Sequence, residues 1–309
     1  MIYESITQLI GNTPLFRPIN FCKNEAAGKD CDLLCKLEYL NPAGSIKDRA
    51  ALSMIEEAER RGILKKGSVI IESTSGNTGI GLAAIGASRG YKVILTMPDT
   101  MSIERRKLLA AYGAEIVLTP GAEGMKGANA KAEELAKSYE GSFIASQFDN
   151  PANPAAHYNS TAPELYAQAD GRIDVLIAGV GTGGTISGIA KYLKEKNPAT
   201  QIVAVEPEGS PLLSKGVAGA HGLQGIGANF VPENLDRTLI DRIVTVTEKD
   251  AYHTAMALAQ TEGLLCGITS GAALHAALTI SREEKYAGKR IVVILPDTGD
   301  RYLSTPMFD

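Results

Sequence analysis

The chain has 309 residues, about twice the length of a typical domain, and this length predicts two domains. It is 44% hydrophobic and 21% charged, the balance of an average soluble protein that can bury a large core. The formal net charge of −4 and the lack of basic runs argue against a nucleic-acid-binding class. The N-terminus lacks a signal-peptide pattern and no apolar run reaches the length of a membrane span, so we expect a cytosolic protein.

Short apolar runs rich in β-branched residues alternate with amphipathic segments along the chain. The apolar runs predict buried parallel strands over residues 69–72, 92–97, 115–118, 174–178, 202–205, 243–246 and 291–295. The segments between them predict helices, most of which end at a glycine that can adopt a left-handed cap, over residues 48–61, 78–89, 102–112, 126–138, 185–196, 249–262 and 271–286. This alternation predicts an α/β protein with mostly parallel sheets.

A turn-rich stretch at residues 149–154 lies near the middle of the chain and predicts a domain boundary. We expect an N-terminal α/β domain over 1–150 and a C-terminal α/β domain over 151–309. Each half has a strand that runs into a turn rich in glycine and threonine, followed by a helix. Because ligands collect at the carboxyl ends of parallel strands, two such turns predict a cleft between the domains.

The cysteines and histidines do not form a recognisable metal site. Cys31 and Cys35 are four residues apart, but no second pair or nearby histidine completes a zinc pattern. We therefore predict structural thiols for Cys22, Cys31, Cys35 and Cys266, and no bound metal.

Lys47 stands at the beginning of the predicted helix over 48–61, directly before Asp48 and Arg49. A helix N-terminus carries partial positive charge and disfavours a cation. An ordinary lysine at this place extends into solvent. The alternative is a lysine that forms a Schiff base, the use to which desolvated lysines are put.

Small polar residues fill the turn after the predicted strand over 69–72, in the order Ser73-Thr-Ser-Gly-Asn-Thr-Gly79. The turn offers backbone N–H groups, hydroxyls and one amide at a helix N-terminus, which suits a carboxylate or phosphate. A simple helix cap is the alternative interpretation.

The turn after residues 174–178 matches the pattern Gly179-x-Gly181-x-x-Gly184, with Glu206 about 20 residues further on. The pattern fits a phosphate-binding loop, and it also fits the dinucleotide fingerprint of a NAD-dependent dehydrogenase. Two observations count against the dehydrogenase. The motif lies in the middle of the chain, and a dehydrogenase leaves Lys47 and the Ser73–Gly79 turn unexplained.

A third turn places Ser270 at the start of the predicted helix over 271–286. Ser270 is either the N-cap of that helix or a neutral hydrogen-bond partner for a heteroaromatic nitrogen. Three helix-start sites and one misplaced lysine suit a ligand with a phosphate, a ring nitrogen and an aldehyde. Pyridoxal phosphate is such a ligand.

The chain resembles the cysteine synthases (O-acetylserine sulfhydrylases) of the fold-type II pyridoxal-phosphate enzymes. The resemblance runs along the whole chain, through the segments 10–15, 41–49, 74–79, 97–106, 147–154, 179–185, 224–227, 270–273 and 301–304. It implies a homodimer whose subunits each have two three-layer αβα domains, with pyridoxal 5′-phosphate in the cleft between them. It also implies that an early segment crosses onto the other domain.

By position, the resemblance assigns a role to each motif. Lys47 would hold the cofactor as a Schiff base and act as the base, Asn77 would contact the cofactor's 3′ oxygen, and Ser270 would face its ring nitrogen. The phosphate would bind Gly181, Thr182, Gly183, Gly184 and Thr185. The substrate carboxylate would bind Thr74, Ser75, Gly76, Thr78 and Gln147. The implied reaction makes L-cysteine from O-acetyl-L-serine and sulfide through an aminoacrylate.

Several alternatives stay open at the level of sequence. Bacterial cystathionine β-synthases use nearly the same motifs with serine or O-acetylserine and homocysteine. Asn229 stands where cysteine synthases commonly have glycine, which leaves the second substrate in doubt. Thr78 replaces the histidine expected of serine and threonine dehydratases. A non-catalytic role, or inhibition, by binding the C-terminal tail of serine acetyltransferase is a further alternative. We expect no regulatory domain and no haem segment.

Overall fold

The computed structural model describes residues 2–28, 30–74 and 76–309, and the side chain of Glu104 lies outside this description. The strands are β1 (Leu15–Phe16), β2 (Asp32–Leu37), β3 (Val69–Ser73), β4 (Lys92–Pro98), β5 (Glu115–Thr119), β6 (Phe143–Ile144), β7 (Val175–Gly179), β8 (Gln201–Pro207), β9 (Arg242–Val246) and β10 (Arg290–Leu295). The helices are α1 (Ile19–Asn24), α2 (Lys47–Arg60), α3 (Asn77–Arg89), α4 (Ile103–Ala111), α5 (Gly124–Ser138), α6 (Ala152–Ala156), α7 (Ala162–Gln168), α8 (Gly184–Lys196), α9 (Leu212–Lys215), α10 (Glu248–Glu262) and α11 (Ile268–Ser281).

One compact unit consists of the residues up to Ile10 together with Asn41–Ala156. Its sheet has the strand order β5-β4-β3-β6, and all neighbouring strands are parallel. Side chains alternate between the two faces of β3, so that Ile70 packs with α2 and α3 while Ile71 packs with α5. The unit is therefore a three-layer αβα arrangement with both faces of the sheet covered.

The other compact unit consists of Gly11–Leu40 and His157–Asp309. Its sheet has the order β1-β2-β10-β7-β8-β9, in which β1 is antiparallel to β2 and the remaining pairs are parallel. Helices α10 and α11 supply most of the helical part of its hydrophobic core, and α8 packs against β7 and β8. Among the helices of the described ranges, none combines the length and apolarity needed to cross a bilayer.

The α/β class and the mostly parallel sheets are confirmed, and the domain bounds at residues 150 and 151 stay a prediction. Every predicted strand is present, with ends that differ by one or two residues. The prediction for the last helix is wrong. That helix runs over Ile268–Ser281, and a separate 3₁₀ turn covers Glu284–Tyr286.

Strand β2 was not predicted because Lys36 interrupts its apolar run. The side chain of Lys36 is nevertheless fully buried. Its ammonium group donates to the Thr13 carbonyl at 2.7 Å and to Gln168 Oε1 at 2.9 Å, and it pairs with Glu164 at 3.2 Å. A buried cation is tolerated when it is paired and hydrogen-bonded, so the charge does not exclude a central strand here.

Glu72 links β3 to the segment that follows β6. Its side chain is buried, and its carboxylate accepts the backbone N–H groups of Ser146 at 2.8 Å and Gln147 at 3.3 Å. Burial raises the pKa of Glu72 from 4.5 to about 7, against the lowering effect of these hydrogen bonds. The native protein therefore holds a proton on Glu72 at pH values where the unfolded chain has released it.

We expect the variant Glu72→Gln to remove part of the pH dependence of stability. Because the folded pKa is raised, the proton on Glu72 stabilises the wild type fully below pH 4.5, and this contribution is lost as the pH rises to about 7. The unfolding free energy of the variant relative to wild type should rise by up to about 3 kcal/mol over that range. Urea unfolding at a series of pH values measures it.

The control is Glu133→Gln, which changes an exposed glutamate of α5 in the same unit. This control should keep the pH dependence of the wild type. Parallel stability curves for wild type and Glu72→Gln between pH 4.5 and 8 would contradict the assignment of the proton to Glu72.

Candidate active site

Lys47 is the first residue of α2, as the sequence predicts, and its side chain is half-buried. The backbone N–H of Lys47 donates to Ser45 Oγ at 3.2 Å. The Asp48 carboxylate accepts the N–H of Ala43 at 2.6 Å, which closes the preceding turn. These contacts fix the backbone at the start of α2, so the lysine projects from a rigid first turn.

Helix α3 approaches α2 closely at the same place. A Cβ atom added at Gly81 would lie 3.1 Å from the Lys47 carbonyl oxygen and 3.1 Å from the Cβ atom of Ala51. The two helix starts are therefore in direct contact, and the turn before α3 belongs to the same region of this unit as Lys47.

The N-cap residue of α3 makes no side-chain cap for the helix. The N-cap of α3 is Gly76, which has no side chain to accept a hydrogen bond, and Asn77 is the first helical residue. Thr74 Oγ1 accepts the N–H of Gly76 at 3.2 Å. The predicted substrate residue Ser75 lies outside the described residues.

Thr78 and Gln147, predicted from separate motifs, are brought together in the folded unit. Thr78 Oγ1 donates to Gln147 Oε1 at 2.5 Å, and both side chains are buried. The side-chain amide of Gln147 also hydrogen-bonds to the Glu72 carboxylate. The backbone carbonyl oxygen of Gln147 accepts a hydrogen bond from Asn153 Nδ2 at 2.8 Å. Sequence patterns missed Glu72 and Asn153, although Glu72 directly precedes the recognised turn.

The glycine-rich loop before α8 forms a cradle of backbone. Gly183, the N-cap of α8, has a φ of +79°, and a Cβ added there would lie 2.8 Å from the backbone nitrogen of Leu235. A Cβ at Gly181 would collide with the Gly225 carbonyl oxygen. The N-cap residue Gly183 has no side chain to cap the helix, so the N–H groups at this helix start suit an anion. Thr182 and Gly184 are buried in this loop.

Ser270 lies near this loop within the second unit. Gly225 contacts Gly181. A Cβ atom added at Gly225 would lie 3.3 Å from the side chain of Thr269. Ser270 is the third residue of α11, whose N-cap is Gly267, so the N-cap interpretation of Ser270 is wrong. Its fully buried hydroxyl donates to the Asp297 carbonyl at 3.4 Å and also hydrogen-bonds to the Cys266 thiol. A neutral donor and acceptor is thus buried in the first turn of α11.

His157 is a further residue that the sequence patterns missed. It begins a π-helical turn over His157–Thr161, an irregularity often found at functional sites. Its ring nitrogens contact Thr161 Oγ1 at 2.9 Å and Thr185 Oγ1 at 3.2 Å. The buried imidazole therefore orients the last hydroxyl of the glycine-rich loop.

The cysteines are all free thiols, and none of them carries the chemistry of a nucleophile. Burial raises the pKa of Cys266 to about 12, and it raises the pKa of Cys22 and Cys31 to about 11. The thiolate forms are thereby disfavoured at neutral pH.

Glu206, which completed the dinucleotide pattern, is committed to another helix. Its buried carboxylate accepts the N–H groups of Leu213 at 2.7 Å and Ser214 at 3.0 Å, together with the Ser214 hydroxyl at 2.5 Å. These bonds satisfy the start of α9. The carboxylate is not directed at a ribose, which removes the main support for the dehydrogenase interpretation.

The residues present fit pyridoxal phosphate on their own chemistry. Gly181 and Gly183 let the loop pack closely on the backbone of Gly225 and Leu235, and Gly183 has no side chain to cover the N–H groups at the start of α8. Ser270 offers a buried neutral hydroxyl, and Lys47 an amine at a rigid helix start. The loop is suited to a phosphate, the Ser270 hydroxyl to a ring nitrogen and the Lys47 amine to an aldehyde.

Comparison with known proteins agrees with this chemistry. The pyridoxal-phosphate dependent enzyme family matches residues 6–297. A cysteine synthase of Staphylococcus aureus is 53% identical over 306 residues, which are 99% of this chain and 97% of that protein. The solved cysteine synthase of Entamoeba histolytica superposes with a TM-score of 0.96 at 43% identity, covering 100% of this chain and 91% of that one.

A third relative carries a different activity in its name. The O-acetylserine-dependent cystathionine β-synthase of Helicobacter pylori is 40% identical with a TM-score of 0.91, over the full length of both chains. All three relatives match nearly the whole chain, and the two solved structures share its fold. The chain therefore belongs to the pyridoxal-phosphate-dependent enzyme family, within its cysteine synthase (O-acetylserine sulfhydrylase) group.

Proposed function

We propose that this enzyme makes L-cysteine from O-acetyl-L-serine and sulfide by replacement at the β-carbon. The observation that carries the proposal is the near-full-length identity of 53% to a cysteine synthase. The folded chain adds to that support with Lys47 at a rigid helix start and the paired side chains of Thr78 and Gln147.

Lys47 is the residue that we expect to hold the cofactor and to move the substrate proton. Bound pyridoxal phosphate supplies an electron sink for the substrate's Cα carbanion. When it is not joined to the cofactor, Lys47 Nζ would be a free amine that can accept the Cα proton as general base. Acetate would leave from the β-carbon, hydrosulfide would add to the same carbon, and the Lys47 ammonium would return the proton to Cα.

The remaining cofactor contacts divide between neutral hydrogen bonds and backbone. We assign Asn77, on the first turn of α3, to the cofactor's 3′ oxygen. Ser270 faces the ring nitrogen as a neutral partner. The loop Gly181, Thr182, Gly183, Gly184 and Thr185 holds the phosphate, and His157 supports it through Thr185.

The substrate carboxylate is assigned to the turn before α3 and to Gln147. The sequence of the turn supplies hydroxyls, N–H groups and one amide and contains no cationic residue, and we include Thr74, Ser75, Gly76 and Thr78 in this site. The same set of donors suits the C-terminal carboxylate of a peptide. We therefore also propose that the tail of serine acetyltransferase binds at this site as an inhibitor.

Cystathionine synthesis from homocysteine is the second candidate, favoured by the Helicobacter pylori relative. The presence of Asn229, where cysteine synthases commonly have glycine, gives little support to this second candidate. Asn229 has a φ of +61°, a conformation that glycine and asparagine tolerate best, and its Oδ1 accepts from Ser210 Oγ at 2.7 Å. The asparagine thus serves the backbone and Ser210, so it does not by itself indicate a different thiol.

A homodimer with a cytosolic location, and the two functional domains over 1–150 and 151–309, complete the proposal. The family resemblance supports the dimer. Free thiols support a reducing compartment.

We expect Lys47→Ala to abolish both cofactor attachment and catalysis. The absorbance of lysine-bound cofactor should disappear, and sulfide-dependent cysteine formation should fall at least about a thousandfold, because anchor and base are lost together. Lys66→Ala, at an exposed position of the same unit, is the control and should behave as wild type. Full activity in Lys47→Ala would reject this assignment.

We expect Gly183→Ala to weaken cofactor binding by about tenfold or more, because the added methyl group forces the loop away from Leu235. Equilibrium dialysis against pyridoxal phosphate measures the dissociation constant. Gly216→Ala is the matched control, because Gly216 has a similar φ of +71° but open space around it. Equal affinities in the two variants would show that the Gly183 loop does not hold the phosphate.

The identity of the two substrates is tested on the holoenzyme. With sulfide, kcat/KM for O-acetylserine should exceed that for serine at least about tenfold, because acetate is the better leaving group. With O-acetylserine, sulfide should be used in preference to homocysteine. Faster cystathionine formation would support the second candidate instead.

A further inference from the structure

A buried chain of three side chains ends at the proposed substrate-carboxylate site. Glu72 bonds to the Gln147 amide, and the Gln147 amide bonds to Thr78. All three are at least nine-tenths buried, with exposed fractions of 4%, 7% and 2% respectively. The proposed reaction gives roles to Gln147 and Thr78, but none to Glu72.

The direction of each bond follows from which groups can donate. An ionised carboxylate only accepts hydrogen bonds, so the NH₂ group of Gln147 faces Glu72. The amide oxygen then faces Thr78, whose hydroxyl donates to it at 2.5 Å. The single proton of the Thr78 hydroxyl is therefore committed to Gln147.

A substrate carboxylate also only accepts hydrogen bonds. It therefore needs the Thr78 hydroxyl to donate to it, and not to Gln147. If the Gln147 amide turns by half a rotation, its NH₂ group donates to Thr78 Oγ1 and the Thr78 hydroxyl can donate to the ligand. The amide oxygen then faces Glu72. Two acceptors repel each other unless Glu72 carries a proton, whose O–H donates to Gln147 Oε1.

We propose that Glu72 is a positioning residue that sets the hydrogen-bond polarity of Gln147 and Thr78, so that binding of a carboxylate there is coupled to proton uptake by Glu72. This inference rests on the proposed function, in which Thr78 and Gln147 hold the substrate carboxylate. The proton comes from solvent, and no other bond is made or broken. When the ligand is released, the Gln147 amide turns back and the proton returns to solvent.

The surroundings of Glu72 favour such a change of protonation. Burial and, to a smaller extent, the negative charge of Asp149 raise its pKa to about 7, against the lowering effect of its hydrogen bonds. In the register of the sheet, the β4 neighbour of Glu72 is Leu95, and β6 has no charged residue. The one charge of α3 is Arg89, which is paired with Glu56 and Glu59.

The remaining charged groups packed against β3 belong to α5 and to the start of β4. Four charged residues of α5 are exposed, Lys131 pairs with Glu134, and Lys92 pairs with Glu115. The exposed four are Lys126, Glu133, Glu134 and Lys137. These charges are directed to solvent or paired, which leaves Glu72 as the group that titrates beside Gln147.

The test uses the holoenzyme and propionate, a carboxylate that has neither an amine nor a leaving group. Calorimetric titration at pH 7 in phosphate and in Tris, buffers with different ionisation enthalpies, reports the protons taken up on binding. Wild type should take up about half a proton per propionate, since Glu72 is half-protonated before binding at this pH. Glu72→Gln should take up none, and Glu133→Gln should match wild type.

The pH dependence of inhibition supplies a second measurement that needs no variant. The inhibition constant of propionate against O-acetylserine should rise as the pH increases above 7, approaching tenfold per unit. In Glu72→Gln the inhibition constant should not vary with pH in this way. A pH-independent inhibition constant in the wild type between pH 6 and 8.5 overturns the inference.

Two further variants separate failure of this inference from failure of the proposed function. Thr78→Val and Gln147→Ala should each lose propionate binding. If both bind it as wild type does, the carboxylate site itself is wrongly assigned. If both lose it while Glu72→Gln still takes up protons, the site stands and the role of Glu72 is rejected.

Discussion

The hydrogen bonds that Glu72 accepts from the backbone of Ser146 and Gln147 tie the segment after β6 to β3 within the first unit. Ser146 has a φ of +50°, a left-handed conformation that a residue with a side chain keeps only when its surroundings fix it. The buried carboxylate supplies that constraint from β3, more than seventy residues earlier in the chain. The place of Gln147, and its contact with Thr78, follow from it.

Within the second unit, close backbone approach takes the place of a buried carboxylate. Gly181 contacts the backbone at Gly225, and a Cβ atom added at Gly225 would lie 3.3 Å from the side chain of Thr269, which precedes Ser270. This close approach connects the glycine-rich loop to the start of α11. Since both the loop and α8 follow a central strand of a parallel sheet, they lie at the edge where such sheets bind ligands.

Several residues that look unusual in the sequence prove to serve the backbone. Glu206 resembles the acidic residue of a dinucleotide fingerprint, yet its carboxylate caps α9 through Leu213 and Ser214. Asn229 departs from the family's glycine, yet it occupies a left-handed conformation and accepts from Ser210. Lys36 places a charge in a strand, yet its three partners satisfy it. In each case the local pattern was visible, but the partner that explains it lies elsewhere in the fold.

The sequence by itself determined the α/β class, most strand and helix bounds, and the family with its cofactor, because these depend on local periodicity and on motifs that recur along the whole chain. It located Lys47 at a helix start for the same reason. Only the tertiary structure decided that Thr78 meets Gln147, that Glu72 directs that pair, and that Ser270 lies inside α11. Such pairings depend on the order of strands in a sheet, and no local pattern of residues encodes which distant side chain a buried polar group will meet.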